Sequence, residues 1–307
     1  EAQATATGEG VGARSADAEG NHAVRLFDAA RRGDRRALAR ALTTVETGGA
    51  AGRAVVAGAL LAEPGPTIVV GMTGAPGSGK STLVSALAQQ WRVSEPQSTI
   101  AVLAIDPSSP VTGGAVLGDR VRMGPLAGDS GVFVRSVAGR GSGDGLSDAA
   151  DDMIAILRAV GFGVVFLETV GSGQDALAVD ALVDIVVSDH LLGRQTGTEM
   201  AREMKRLKPE VPILILSGTT EIPHDIAVAD AFISKLDGPE CLLVKVRILD
   251  DLKRIVVGET SSRVDVAAHD GFRFLSGDLL DIHSPACRDH GEVLSCSPVQ
   301  GERCVVL

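Results

Sequence analysis

Short apolar runs alternate with amphipathic segments through the middle of the chain. Runs rich in valine, isoleucine and leucine predict β-strands at 67–72, 100–105, 131–135, 163–168 and 183–188. Between them apolar residues recur at helical spacing, and the alternation continues to about residue 255. Strands that are apolar at almost every position are typical of parallel sheets covered on both faces. The pattern therefore predicts an α/β fold with a doubly wound, mostly parallel sheet.

The pattern changes along the chain and divides it into five segments. Residues 1–22 are small and polar and are predicted to be disordered. Residues 23–62 carry apolar positions at helical spacing and predict two or so helices. Residues 63–187 form the first strand-and-helix unit, 188–255 form a second α/β segment, and 256–307 form an irregular tail.

The composition limits the classes of function that the chain can have. Hydrophobic residues make up 45% of the 307 residues and aromatic residues only 3%, so the core must be built from aliphatic side chains. The net charge of −10 argues against a general nucleic-acid-binding or membrane-surface protein. No apolar run approaches ~20 residues, no basic-then-apolar leader is present, and the four cysteines suggest no disulfide framework. A cytoplasmic protein is expected.

A glycine-rich loop follows the first predicted strand and precedes a predicted helix. It reads GAPGSGKST and consists of Gly74, Ala75, Pro76, Gly77, Ser78, Gly79, Lys80, Ser81 and Thr82. Glycines at this spacing let the backbone N–H groups point inward around a phosphate chain. In such a loop Lys80 reaches the β- and γ-phosphates, and the Ser81 hydroxyl holds Mg²⁺. The sequence therefore predicts a site for a nucleoside triphosphate and Mg²⁺.

Two later strands end in a carboxylate. Asp106 follows the second predicted strand and Glu168 ends the fourth. Because the carboxyl ends of parallel strands converge on the ligand, both side chains could hold Mg²⁺ or its hydration shell. Gly171 can present its N–H to a γ-phosphate. The glycine-punctuated stretch that contains Asp119 and Arg120 could supply a switch loop and a positive charge.

The segment from about 23 to 187 resembles the MeaB/ArgK-type GTPases, the chaperones associated with methylmalonyl-CoA mutase. The matching stretches are GDRRALARALTTVE (33–46), GMTGAPGSGKSTLVSALA (71–88), AVLAIDPSSPVTGGAVLGDRVRM (101–123), GVFVRSVAGRG (131–141) and GFGVVFLETVGSGQ (161–174). The resemblance implies a P-loop GTPase core behind a helical segment, with GTP and Mg²⁺ as ligands. It covers a little over half of the chain.

The resemblance also implies roles for individual residues. Those implied for catalysis are Lys80, Asp119, Arg120 and Glu168, and those implied to lie near Mg²⁺ are Ser81, Asp106 and Glu168. Gly171 would join the phosphate loop in binding the nucleotide. The implied partner is a cobalamin-dependent acyl-CoA mutase, whose cofactor loading or protection the GTPase would gate. A homodimer is expected, without a nucleic-acid or membrane partner.

The chain then leaves that family pattern. Residues 185–235 resemble the later two-thirds of a response-regulator receiver domain. Asp189 stands where the phospho-accepting aspartate would lie, Ser217 where the hydroxyl residue would lie, and Lys235 where the lysine would lie. Receivers also hold Mg²⁺ with an acidic pair after their first strand. Asp151-Asp152 follow no apolar strand, so the receiver-like half is predicted to be truncated.

The same residues admit a second interpretation. Ser234-Lys235-Leu236-Asp237 follows an apolar strand and resembles the guanine-reading motif of the family, with serine in place of asparagine. Asp237 would then accept two hydrogen bonds from guanine while the stem of Lys235 packs on the ring. Two function classes stay open: a GTPase that acts as a conformational chaperone, and a receiver-like signalling module on a nucleotide-binding scaffold.

Overall fold

The computed structural model describes residues 8–107, 123–126, 128–139, 149–169, 182–193, 195–257, 280–282 and 294–296. Its main strands are β1 (Ile68–Thr73), β2 (Ile100–Pro107), β3 (Val132–Gly139), β4 (Val164–Glu168), β5 (Ile185–Asp189), β6 (Ile213–Ser217) and β7 (Ala231–Ser234). They form one parallel sheet in the order β3-β2-β4-β1-β5-β6-β7. All five strands expected from the apolar runs are present, which confirms the α/β fold class. A separate antiparallel pair joins β8 (Leu280–Ile282) to β9 (Leu294–Cys296).

Helices connect and cover these strands. They are α1 (Gly8–Arg31), α2 (Arg35–Thr47), α3 (Gly49–Leu61), α4 (Lys80–Ser94), α5 (Ala149–Val160), α6 (Gly197–Leu207) and α7 (Gly238–Val257). Single 3-10 turns lie at Gly124–Leu126, Ile226–Val228 and Lys235–Asp237. Among the helices described, none is both long and apolar enough to cross a membrane.

The core lies on both faces of the sheet, because successive strand residues point to opposite sides. In β4, Val164 and Phe166 join the cluster formed with α4 and α7. Val165 and Leu167 join the cluster formed with α1, α2, α3, α5 and α6. Both faces of the strand are therefore apolar and buried, as expected for a parallel sheet covered on each side.

The N-terminal segment differs from the expectation. It contains three helices, where two or so were predicted for residues 23–62, and residues 8–22, predicted to be disordered, belong to α1. The reason lies in the later turns of α1, where Ala23 and Phe27 are buried. Phe27 lies so close to α3 that a Cβ on Gly58 would come within 3.3 Å of its ring. Once packing holds these turns, the alanine- and glutamate-containing residues before them can extend the helix.

Glu46 attaches the helical segment to the edge of the sheet. Its carboxylate pairs with the Arg135 guanidinium at 2.5 Å and accepts a hydrogen bond from the backbone N–H of Ala138 at 3.1 Å. Both contacts lie on β3, the edge strand next to β2. The helical segment is thus held against the sheet by the charged contacts of Glu46 as well as by apolar packing.

Candidate functional site

The phosphate loop connects β1 to α4, as the sequence predicted. Gly77 and Gly79 have φ angles of 79° and 91°, which side chains other than glycine rarely adopt. These two positions let the backbone turn back on itself before Lys80 begins α4. The first N–H groups of α4 have no carbonyl partner within the helix, so they are available to an anion at the loop.

The side chain of Lys80 lies within this loop. Its Nζ donates to the carbonyl oxygens of Gly74 at 2.8 Å and of Ala75 at 3.0 Å. An ammonium bonds more strongly to phosphate oxygens than to neutral carbonyls, because both partners then carry charge. Lys80 is therefore positioned to move from the loop to a bound phosphate.

A buried pair of oxygen ligands lies beside the loop. The Ser81 hydroxyl donates to the Glu168 carboxylate at 2.7 Å, and each residue is only 7% exposed. The pairing of β1 with β4 places Glu168 opposite Met72, close to the end of β1. Thr73, the last residue of β1, has a buried hydroxyl with no hydrogen-bond partner among the described residues. Hydroxyl and carboxylate oxygens are the ligands that Mg²⁺ prefers, so these residues fit such an ion.

Of the other residues predicted for the phosphate and metal site, the structure describes only the backbone of Asp106. Asp106 lies on β2 at the same edge, two positions past Ala104, which pairs with Glu168. Its side chain lies outside the described part of the structure. Asp119, Arg120 and Gly171 also lie outside the described residues. Their predicted roles stay predictions.

Asp189 and Lys235 meet at the phosphate loop although 46 positions separate them. The Lys235 Nζ donates to the Asp189 carboxylate at 2.7 Å and to the carbonyl oxygen of Ser78 at 3.1 Å. A Cβ added to Gly74 would lie 3.0 Å from the Cβ of Asp189, so only glycine fits there without a shift. Two residues predicted for a receiver-like site are thus in contact with the loop predicted for nucleotide.

The segment proposed to read guanine forms a tight capping turn. The Asp237 carboxylate accepts a hydrogen bond from the backbone N–H of Ser234 at 3.0 Å. The Ser234 hydroxyl in turn accepts one from the N–H of Leu236 at 3.2 Å. Asp237 is therefore engaged in holding its own turn. This role was not predicted from the sequence, although a serine followed by an acid three positions later is a capping signal.

A pocket of about 180 Å³ opens beside the loop, between α4 and α7. Its floor is apolar and its polar members come from strand ends and the loop. The lining includes Met72, Leu83, Ala86, Leu216, Ile233 and Leu242, with Thr73, Ser78, Lys80, Thr82, Asp189, Ser234 and Lys235 as the polar members. Sequence reasoning found the polar members that belong to motifs but missed Thr73 and the apolar floor, because these depend on the order of the strands.

The structure gives a position to the acidic pair that the sequence analysis considered. Asp151 and Asp152 lie in the first turn of α5, not after a strand. Burial, with the neighbouring charge of Asp151, raises the pKa of Asp152. The strand next to β5 on the side away from β6 is β1, which ends in the phosphate loop. At that position the described structure thus has a phosphate loop in place of an acidic pair.

Comparisons with known proteins agree with this geometry. The family model "Methylmalonyl Co-A mutase-associated GTPase MeaB" matches residues 38–206, reaching past residue 187, where the sequence analysis placed the departure. A Pyrococcus abyssi protein described as a GTPase is 44% identical over 53% of this chain and 49% of its own. The GTPase ArgK of Escherichia coli is 37% identical over 61% of this chain and 56% of its own. The chain thus spans about half the length of these curated relatives.

Two further matches extend the comparison. A fused isobutyryl-CoA mutase of Cupriavidus metallidurans is 39% identical over 53% of this chain and 15% of that protein. The crystal structure of a LAO/AO transport system kinase matches 77% of both chains with a TM-score of 0.51 and 23% identity, which shows a shared fold. A receiver domain of a Pseudomonas fluorescens HD domain-containing protein matches at a TM-score of only 0.29, so the receiver resemblance stays a prediction.

Proposed function

The chain belongs to the MeaB family of methylmalonyl-CoA mutase-associated GTPases, and we propose that it binds GTP with Mg²⁺ and hydrolyses it. The observation that carries the proposal is the phosphate loop with its two polar contacts. Lys80 is folded onto the loop carbonyls, and Ser81 touches the buried Glu168 carboxylate. These are the groups that phosphoryl transfer needs for positioning and for stabilising charge.

Phosphate binding follows from the contacts of the loop. The N–H groups at the start of α4 would donate to the β-phosphate, while the Lys80 ammonium exchanges its carbonyl partners for phosphate oxygens. Each hydrogen bond of the ammonium contributes about 1.5–3 kcal/mol. A phosphate oxygen also carries negative charge, so it adds a Coulombic attraction that the neutral carbonyls of the free loop lack.

Ser81 and Glu168 would hold Mg²⁺, with Asp106 contributing from the neighbouring strand. The ion would neutralise charge on the β- and γ-phosphates. The Ser81 hydroxyl has two lone pairs, so it could face the ion with one of them while its proton stays on the Glu168 carboxylate. We propose that Asp119 and Arg120 form the switch loop and that the Gly171 N–H contacts the γ-phosphate.

Selectivity for guanine is proposed to be weaker than the family motif provides. Asp237 would have to release the Ser234 N–H, or share its carboxylate with it, to accept two bonds from guanine. A base-reading site rejects an analogue strongly only when its polar groups are held for that purpose. We therefore expect the affinity for GTP to exceed that for ATP by only a modest factor, or the two affinities to be equal. A strong preference that disappears in Asp237→Ala would contradict this expectation.

We propose a cobalamin-dependent acyl-CoA mutase as the partner, with GTP turnover gating its cofactor loading or protection. Support comes from the family description and from the relative in which a similar segment is fused to an isobutyryl-CoA mutase. A homodimer is the proposed state of assembly, and light scattering on the purified chain tests it. The partnership is tested by asking whether a mutase co-purifies with the chain and whether the amount recovered changes when GTP is added.

The Lys80→Ala variant tests the nucleotide site. Displacement of a fluorescent GDP analogue measures affinity, and loss of Lys80 is expected to weaken binding by about 10- to 100-fold. Lys205→Ala is the matched control, because Lys205 pairs with Asp230 at 2.6 Å at the amino edge of the sheet. Equal affinity of Lys80→Ala and wild type would refute the site.

The alternative, a receiver-like signalling module, has one contact in its favour, the pairing of Lys235 with Asp189. Against it, β5 neighbours a phosphate-loop strand where the described structure has no acidic pair. Labelling of Asp189 by a small phosphodonor such as acetyl phosphate, lost in Asp189→Asn, would support the alternative. We expect no labelling.

A further inference from the structure

Asp189 and Lys235, here called the clamp pair, join the carboxyl ends of β5 and β7 to the phosphate loop. Asp189 is largely withdrawn from solvent, with 9% of its side chain exposed, whereas Lys235 is partly exposed, at 32%. Lys235 holds the Asp189 carboxylate and the carbonyl of Ser78 at the same time. A surface ion pair would be weakened by water, whereas this one is partly shielded.

The clamp pair places two opposite charges where phosphate must bind. Asp189 packs against Gly74, the first residue of the loop, so its negative charge lies beside the phosphate site. Alone, that charge would repel a polyphosphate. Lys235 cancels it, and an ammonium has three N–H donors, of which the described contacts use two. A third donor is thus available to a phosphate oxygen at the loop.

We propose that Lys235 is a second phosphate-binding lysine, and that Asp189 is the positioning residue that holds it over the loop. This inference rests on the proposed nucleotide site and adds a ligand from the segment of the chain that lies beyond the family match, which ends at residue 206. The ligand class is nucleoside di- and triphosphates of either purine, because the lysine lies against the phosphate loop, where the phosphates of any such nucleotide would bind. The packing of Lys235 on guanine, the other interpretation, lacks support from Asp237, which holds its own turn.

The test measures the affinity of the full chain for GDP and for ADP by calorimetry. Lys235→Met is expected to weaken both by a similar factor of about 10- to 100-fold, the loss for one charge-assisted bond plus an unmasked carboxylate. Lys235→Arg should recover part of the affinity. Asp189→Asn combined with Lys235→Met should bind more tightly than Lys235→Met alone, because the repelling charge is gone.

Two controls separate this inference from the proposed function and from folding. Lys205→Met breaks a Lys–Asp pair of similar length, 2.6 Å, at the far edge of the same sheet, and should leave both affinities unchanged. If Lys80→Ala abolishes binding while Lys235→Met binds within twofold of wild type, the inference is wrong and the proposed function stands. If Lys80→Ala has no effect, the proposed function itself fails. A loss confined to GDP would assign Lys235 to the base and overturn the inference.

Discussion

Replacing Ser81 by alanine, and separately Glu168 by glutamine, distinguishes the structural role of their contact from its role at the metal. The Ser81 hydroxyl donates to the Glu168 carboxylate at 2.7 Å, and both residues are 7% exposed. A buried hydrogen bond to a charged group contributes about 1.5–3 kcal/mol, so Ser81→Ala should lower the free energy of unfolding by about 2 kcal/mol without ligand. Water screens little of this at such burial.

Glu168→Gln should behave differently. The amide keeps a carbonyl oxygen that can accept from Ser81, so the free energy of unfolding should fall by no more than about 1 kcal/mol. The charge that attracts Mg²⁺ is lost, however, and the tightening of GDP or GTP binding by Mg²⁺ should disappear. Ser81→Ala should lose both stability and the effect of Mg²⁺.

Urea unfolding measures the first quantity, and GTP affinity with and without Mg²⁺ measures the second. Ser94→Ala is the matched control, because the Ser94 hydroxyl makes an exposed bond to the Gln90 carbonyl at 2.7 Å on the same helix. Its cost should stay within about 0.5 kcal/mol. Full retention of the Mg²⁺ effect in Glu168→Gln would show that this carboxylate does not bind the metal.

Three further changes have defined outcomes. Gly74→Ala brings a methyl group 3.0 Å from the Asp189 Cβ, so it should cost about 1–3 kcal/mol in urea unfolding and weaken GDP binding; unchanged binding would refute the close approach. Glu46→Ala removes two charge-assisted contacts to the edge strand β3 and should cost about 2 kcal/mol in the same assay, whereas no loss would mean that apolar packing alone holds the helices. The Arg92 guanidinium lowers the pKa of Asp129, so Asp129→Asn should reduce stability by about 1 kcal/mol at pH 7. A lowered carboxyl pKa stabilises the fold fully above the ordinary value of 3.8, and this stability is lost as the pH falls through the pKa of the folded state. The free energies of unfolding of wild type and Asp129→Asn should therefore converge in acid. A difference that stays constant with pH would contradict the pairing.

Local patterns in the sequence were enough to predict the phosphate loop. Its glycines, Lys80 and Ser81 are contiguous, and the strand and helix around them have clear periodicities. The approach of Ser81 to Glu168 was also predictable, because Glu168 ends a strand of the parallel sheet and Ser81 lies at the start of the helix that follows the phosphate loop, at the same edge. Their contact at 2.7 Å agrees with that expectation.

Contacts that depend on the order of the strands in the sheet could not be predicted from local sequence patterns. The sequence offered Lys235 for a receiver-like phosphate site or for guanine, and neither reading placed it against Ser78. That contact arises because β5 lies next to β1 in the sheet and is followed by β6 and β7, so the carboxyl ends of these parallel strands lie on the same side as the phosphate loop. The helix through residues 8–22 was also not predicted, because the contact that holds α1 in place joins Phe27 to α3, a helix more distant in the sequence.

Phosphate release from GTP by the purified chain, compared with Lys80→Ala in the presence of Mg²⁺, tests the central claim most directly. The account predicts turnover by the wild-type chain that stops when Mg²⁺ is chelated, and none above background in Lys80→Ala. Turnover that persists unchanged in Lys80→Ala, or a wild-type chain that neither binds nor hydrolyses GTP, would contradict it.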